Sequence, residues 1–154
     1  MPMMQLVTRA NARELAVHVI YSREFTQEEP QQEVATRLEK EYYAQLADEN
    51  QVYTDRPSRA QVAYLDHVVS GVANRADELN EQIQKYSIGW DISRISKLAR
   101  TIMQLAIFEI MFVDDVPTGV AISEAVRIAK MYDGDDTGSF VNGILGSFLR
   151  GEVK

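Results

Sequence analysis

The 154-residue sequence predicts an all-α fold of about seven helices, and two observations lead to this prediction. Apolar residues recur at steps of three and four through most of the chain, as they do on one face of an α-helix. No segment alternates apolar and polar residues as a half-buried strand would. A hydrophobic content of 45% in a chain of this length is enough for one core, so we expect a single domain spanning residues 1–154.

The first predicted helix begins at Thr8, which is suited to an N-cap, and runs to about Glu24. Its inward face is made of Ala12, Leu15, Ala16, Val19 and Ile20. Arg9 and Arg13 are four residues apart, so they share a face, which we expect to point outward. An ordinary solvated face is the alternative interpretation of that pair. We expect Tyr21 to be half-buried.

A turn at Phe25–Pro30 leads into a strongly charged helix with a narrow apolar stripe. The stripe consists of Val34, Leu38, Tyr42 and Leu46 at steps of four. Residues 48–57 lack such a stripe, so the sequence predicts the longest loop there.

Ser58 and Gln61 form a capping-box pattern at the start of the clearest long helix. Its apolar positions are Val62, Leu65, Val69, Val72, Ala76, Leu79 and Ile83. Gly89 is the expected stop. Asp91 then caps a short helix, against which Trp90 is expected to pack.

The last third of the chain predicts three more helices. Residues 98–113 are apolar almost all round, so this helix should lie at the centre. The next helix begins after Pro117 and stops at Asp133 and Gly134. The last helix is capped by Asp135, Asp136 or Thr137, and Gly143 and Gly146 are expected to allow close helix packing. Its apolar face consists of Phe140, Val141, Ile144, Leu145, Phe148 and Leu149.

No residue pattern points to catalysis or to a metal. The sequence shows no base beside a nucleophile, no paired carboxylates and no phosphate-loop or dinucleotide motif. The acids around Asp135 lack the glycine and glutamate of a calcium loop. His18 and His67 are the only histidines, and there is no cysteine, so a metal ligand set is not expected. We therefore expect no enzyme and no cofactor.

The net charge of −7 argues against RNA binding, but the charges are unevenly distributed. Much of the acidity lies in residues 28–56, whereas Arg94, Lys97 and Arg100 follow one another without an intervening acid. A local basic surface is therefore compatible with the composition.

No apolar run reaches the roughly 20 residues of a membrane span, and residues 1–6 lack a signal-peptide pattern. With no cysteine, we expect a cytoplasmic protein that does not enter the membrane.

Three segments of the last third resemble the NusB family of bacterial transcription antitermination factors. They are QLAIFEI at residues 104–110, VPTGVAISEAVRIAK at 116–130 and DDTGSFVNGIL at 135–145. The likeness extends to residues 12–21 and 64–72 and is weakest at residues 26–60. The resemblance implies two packed helical subdomains, at about residues 8–57 and 58–150.

The resemblance also implies a function. A NusB-like chain binds the single-stranded boxA RNA of nascent ribosomal RNA together with NusE, a small-subunit ribosomal protein, in the antitermination complex of RNA polymerase. Carried over residue by residue, the implied RNA contacts are Arg9, Arg13, Arg100, Asp136, Phe140 and Asn142. The implied contacts to NusE are Tyr21 and Arg100.

Two further interpretations stay open at this point. Many family members carry a run of arginines before the first helix, whereas residues 1–8 here hold no basic residue. A helical interaction module that keeps the NusE partner but binds little RNA is therefore the alternative. The RNA-binding domain of an RNA methyltransferase is a second, weaker alternative. Phe140 is as suited to a core as to an RNA contact, and Asn142 to a bond with a neighbouring helix end.

Overall fold

The computed structural model describes residues 2–89 and 91–153, with side chains from residue 9 onward, and within these ranges it contains no strand. The α-helices are α1 (Pro2–Thr26), α2 (Pro30–Arg37), α3 (Lys40–Leu46), α4 (Arg59–Asn74), α5 (Ala76–Tyr86), α6 (Lys97–Phe112), α7 (Thr118–Asp133) and α8 (Asp135–Glu152). Two short 3₁₀ helices span Gln51–Tyr53 and Ile92–Arg94. The all-α prediction is confirmed.

The predicted count of about seven helices is slightly wrong, because the described residues form eight α-helices. The charged helix is divided into α2 and α3, and the long helix after Ser58 is divided into α4 and α5 at Arg75. The short helix after Asp91 is a 3₁₀ turn, and the Asp91 side chain caps it as expected by accepting a hydrogen bond from the Ser93 N–H at 2.9 Å. The packing expected for Trp90 lies outside the described residues.

The break between α2 and α3 changes which side chains are buried. The Glu39 carboxylate accepts hydrogen bonds from the backbone N–H groups of Tyr42 at 2.9 Å and Glu41 at 3.1 Å, and so caps α3. These two bonds, Tyr42 first, lower the pKa of Glu39. Because the helix restarts here, its phase shifts, and Tyr43 is buried while Tyr42 is 39% exposed. The stripe predicted through Tyr42 is therefore wrong at that position.

Two predicted helix starts also differ from the structure. α1 begins at Pro2, so Thr8 lies within the helix instead of capping it. α8 begins after Gly134, which has φ +94°, and no side chain caps this helix start. The prediction that Asp135, Asp136 or Thr137 caps the helix is therefore wrong. The two aspartates lie in the first turn, where a negative charge interacts favourably with the helix dipole.

The chain divides into two compact units, residues 1–73 and 74–154. In the second unit α5, α7 and α8 all pack on α6, and α7 packs on α8. Residues 101–109 of α6 are all buried, which confirms the prediction of a central helix. The single-domain organisation and the subdomain boundary before Ser58 stay predictions.

A polar network holds the first unit together around the buried hydroxyl of Tyr53. Arg37 donates to this oxygen from Nη1 at 2.8 Å, and from Nη2 to Ser22 Oγ at 2.5 Å. His18 Nδ1 lies 2.6 Å from the same hydroxyl. The Tyr53 hydroxyl thus takes part in hydrogen bonds with both Arg37 and His18, and the tautomer of His18 sets whether the hydroxyl or Nδ1 donates in the bond between them. Burial, followed by the charge of Arg37, lowers the pKa of His18 to about 4.

The close-packed glycines of α8 are not the ones that the sequence suggested. A Cβ on Gly138 would meet the Lys130 side chain of α7, and one on Gly151 would meet the Tyr86 ring of α5. A Cβ on Gly143 would meet nothing within 4 Å. Gly146 has only Arg150 of its own helix nearby. The expectation of close packing at Gly143 and Gly146 is therefore wrong.

Side-chain hydrogen bonds connect the last turn of α8 to the end of α5. Glu152 Oε2 accepts a hydrogen bond from the Tyr86 hydroxyl at 2.5 Å and one from Lys85 Nζ at 2.9 Å. These bonds, Tyr86 first, lower the pKa of Glu152. The Tyr86 ring also meets Phe148 edge to face, with 6.0 Å between the ring centroids. Gly151 leaves the space that this arrangement needs.

We expect acid to destabilise the protein through His18. Its pKa is lower in the folded chain, at about 4, than the 6.5 of an unperturbed histidine, so the unfolded chain binds the proton more readily. The stabilisation is complete above about pH 6.5 and is lost as the pH falls towards 4, by roughly 3 kcal/mol at most. Urea unfolding at several pH values between about 6.5 and 4 measures this loss of stability. His18→Phe should flatten the dependence and His67→Gln should not; an unchanged profile in His18→Phe would contradict the assignment.

We expect opposite effects of alanine at Gly143 and Gly151. Gly143→Ala should raise the free energy of unfolding by up to about 1 kcal/mol, because alanine favours the helix and the new methyl group meets open space. Gly151→Ala should lower it, because the methyl group displaces Tyr86 from Glu152. Thermal unfolding of the two variants measures both changes in stability. Equal stabilisation by both would show that Tyr86 does not need Gly151.

Candidate functional site

Arg9 lies on α1 and is held by two side chains of α4. Its Nε donates to Gln61 Oε1 at 2.9 Å, and its guanidinium carbon lies 4.3 Å from the centre of the Tyr64 ring. This is the geometry of a cation–π contact. Arg9 is neither fully buried nor fully exposed. Because a guanidinium carries five N–H donors, Arg9 keeps donors for a phosphate beyond the one given to Gln61.

Arg13 is only 4% exposed, so the prediction that it points outward is wrong. The side chains from Ala12 to Val17 are buried without interruption, which means that α1 is covered on almost every side here. Arg13 is engaged with other groups of the protein, as a buried charge requires. Val17 next to Ala16 was the sequence signal that the buried face is wider than one stripe.

Tyr21 begins the exposed end of α1, with 36% of its surface accessible. One turn later Phe25 is 63% exposed, and the two rings meet edge to face with 5.4 Å between centroids. Tyr21 was expected to be half-buried as a protein contact. Phe25 was assigned to a turn, although its spacing of four from Tyr21 places both on one helical face.

The predicted site residues of α8 lie on two sides of that helix. Asp136 and Phe140 are four residues apart and share a face, with Asp136 exposed and Phe140 half-buried. Asn142 is exposed, but two residues beyond Phe140 it is turned about 160° away. Buried Val141 and Ile144 belong to the face between them. The structure therefore brings Asp136 and Phe140 together and separates Asn142 from both.

Arg100 lies in the first turns of α6 and is half-buried. Its side chain is engaged within the protein, as Arg13 is. One turn further along, Gln104 is buried and donates from Nε2 to Asn80 Oδ1 of α5 at 2.8 Å. Polar side chains of α6 are thus engaged in contacts within the protein.

Two properties of the described residues bear on other classes of function. Within the described part of the chain, no group of three or more His, Cys, Asp or Glu side chains is placed to hold a metal ion. Among the same residues, no helix combines the length and the apolar character that crossing a membrane requires.

Comparison with known sequences gives a consistent result. The model of the NusB family matches residues 10–150. The transcription antitermination protein NusB of Acetivibrio thermocellus is 39% identical over 142 residues, which is 92% of this chain and 88% of that protein. NusB of Bdellovibrio bacteriovorus is 35% identical over 143 residues, which is 92% of this chain and 95% of that protein.

Solved structures show the same fold. A NusB structure from T. maritima has a TM-score of 0.78 at 24% identity and covers 95% of this chain and 93% of its own. A chain from the crystal structure of antitermination factors NusB and NusE in complex with dsRNA has a TM-score of 0.70 at 22% identity, covering 93% and 96%. The extent of the family match and the identity to curated relatives lead to one conclusion: the chain belongs to the NusB family.

Proposed function

We propose that this chain is a transcription antitermination factor that binds boxA RNA of nascent ribosomal RNA together with NusE. In this role it joins the antitermination complex of RNA polymerase and acts by binding, not by catalysis. The observation that carries the proposal is the 39% identity to a transcription antitermination protein over 92% of the chain. The structural likeness to a NusB and NusE complex with RNA supports the same pair of partners.

Two groups of residues are proposed to contact the RNA, one in each unit. Arg9 keeps guanidinium donors for a phosphate, and Phe140 exposes part of its ring, on which an unstacked base can lie. Asp136, four residues before Phe140, is placed to accept a hydrogen bond from a base edge. Arg100 and Asn142 complete the proposed RNA set. Tyr21 is the proposed contact to NusE, with Arg100 as its second member.

One observation favours the second candidate function, a protein-interaction module with little RNA binding of its own. Arg13 is buried, and Arg9 already contacts Gln61 and Tyr64. The proposed RNA set therefore holds few available cations, and the net charge of −7 further opposes RNA binding. The experiment that separates the two functions is a titration of labelled boxA RNA with and without NusE. If this chain adds no RNA affinity to NusE, the second candidate is correct.

We expect weak RNA binding by the isolated chain with a shallow salt dependence. If Arg9 and Arg100 make the only phosphate contacts, the slope of log affinity against log salt is about −1.4 for single-stranded RNA. Arg9→Ala should reduce it to about −0.7. Arg59→Ala, which removes an exposed arginine of α4, is the matched control and should leave it unchanged. A slope steeper than about −4 would place the RNA face elsewhere.

We expect Phe140→Ala to weaken RNA binding by about 1–3 kcal/mol, the cost of losing one stacked base. Because Phe140 is half-buried, the loss of stability should stay below the roughly 3–5 kcal/mol of a fully buried phenylalanine. Phe112→Ala is the control, since Phe112 is half-buried on α6. If Phe140→Ala lowers the melting temperature sharply and leaves RNA affinity intact, Phe140 is a core residue and not a contact.

A further inference from the structure

Gln61 and Tyr64 of α4 both contact Arg9 of α1. Gln61 Oε1 accepts a hydrogen bond from Arg9 Nε at 2.9 Å, and the guanidinium carbon lies 4.3 Å from the centre of the Tyr64 ring. Both residues of α4 are buried, with exposed fractions of 7% and 5%. Because they are three residues apart on one helix, they share a face. We call Gln61 and Tyr64 the arginine support.

The arginine support lies in the first two turns of α4. Ser58 precedes the helix, and its Oγ accepts a hydrogen bond from the Gln61 N–H at 3.4 Å. A buried amide oxygen costs free energy unless it has a donor, which favours the Gln61 side-chain conformation that reaches Arg9. A free arginine side chain loses rotamer freedom when it binds a phosphate, so an arginine that is already held loses less.

Neither member of the arginine support carries a charge at neutral pH. By contrast, Arg127 of α7 is paired with a carboxylate, that of Glu124, at 2.6 Å. A carboxylate offsets the positive charge that a phosphate would meet, whereas an amide oxygen and an aromatic ring leave that charge in place. The bond to Gln61 uses the Nε–H group of Arg9 and none of its four Nη N–H groups, which can donate to two phosphate oxygens together.

We infer that Gln61 and Tyr64 are positioning residues for RNA binding, which hold the Arg9 guanidinium for a phosphate without neutralising it. The inference rests on the proposed function in taking Arg9 as a phosphate contact. It goes beyond the proposed RNA set, because the members of that set touch the RNA, whereas the arginine support acts through Arg9. The alternative is a purely structural tie between α1 and α4, and it predicts different effects of substitution.

The hydrogen bond is tested by titrating labelled boxA RNA with the chain, with and without NusE. Gln61→Leu removes the acceptor and keeps an apolar group in the buried site, and it should weaken RNA binding about three- to tenfold, the cost of immobilising one arginine side chain. Combined with Arg9→Ala it should cause no further loss, because Gln61 acts through Arg9. Gln84→Leu is the control, since Gln84 Oε1 also accepts a hydrogen bond, from the Ile92 N–H at 2.8 Å. It should change RNA affinity less than twofold.

The role of charge is tested by Gln61→Glu. A carboxylate can accept the same hydrogen bond from Arg9, so α1 should stay tied to α4 and the melting temperature should stay near that of the parent chain. RNA affinity should nevertheless fall at least threefold, because the carboxylate offsets the charge of Arg9. The salt slope should approach the value of about −0.7 expected for Arg9→Ala. A purely structural tie predicts RNA affinity equal to that of the parent.

The aromatic ring is tested by two substitutions at Tyr64. Tyr64→Phe keeps an aromatic face against the Arg9 guanidinium and should leave RNA affinity within twofold of the parent. Tyr64→Leu removes that face and should weaken RNA binding about threefold. Melting temperatures of both variants show whether each is folded at the temperature of the titration. If the two variants bind RNA equally well, the ring does not position Arg9.

The possible outcomes separate the arginine support from the proposed function. If the parent chain binds boxA RNA and Arg9→Ala weakens binding, but the variants of Gln61 and Tyr64 bind like the parent, the inference is wrong while the proposed function stands. If Arg9→Ala has no effect on RNA binding by the parent chain, Arg9 is not a contact and the inference is also wrong. If the parent chain adds no RNA affinity with or without NusE, the RNA-binding function itself is wrong.

Discussion

The burial of α6 on every side is the constraint on which the second unit depends. A helix that is apolar all round is stable in water only when other helices cover it, and α5, α7 and α8 do so here. Two of the buried polar side chains of this helix, Gln104 and Glu109, are engaged by other groups of the protein. Because Val141 and Ile144 of α8 are buried, helix geometry places Phe140 and Asn142 on either side of that buried face.

Periodicity predicted α7 and α8 because each has a single uninterrupted face to bury, and α6 was predicted because it is apolar almost all round. It could not show where a helix restarts. Steps of three and four continue across Arg75, so the sequence of α4 and α5 looks like one helix although the backbone leaves the helical region there. At Glu39 a capping carboxylate shifts the phase, and Tyr43 takes the buried place that the spacing assigned to Tyr42.

The candidate site was harder to predict from the sequence than the fold, because binding residues lie on surfaces that carry no periodic signal. The family resemblance identified the residue types, but it could not show that Arg13 is buried or that Arg9 is held over Tyr64. Both facts depend on which helices cover α1. The exposure of Phe25 had a local signal, its spacing from Tyr21, whereas the exposure of Tyr42 depends on the break before α3.

The hydrogen bonds of Glu152 with Lys85 and Tyr86 affect how easily the last turn of α8 can open. The last turn of a helix commonly frays, because few other contacts hold it. α8 is fixed at its far end, and its 18 residues form a rod about 27 Å long. Opening of the last turn would break the bonds to Lys85 and Tyr86 as well as the helix's own bonds, so we expect the ends of α8 and α5 to open together.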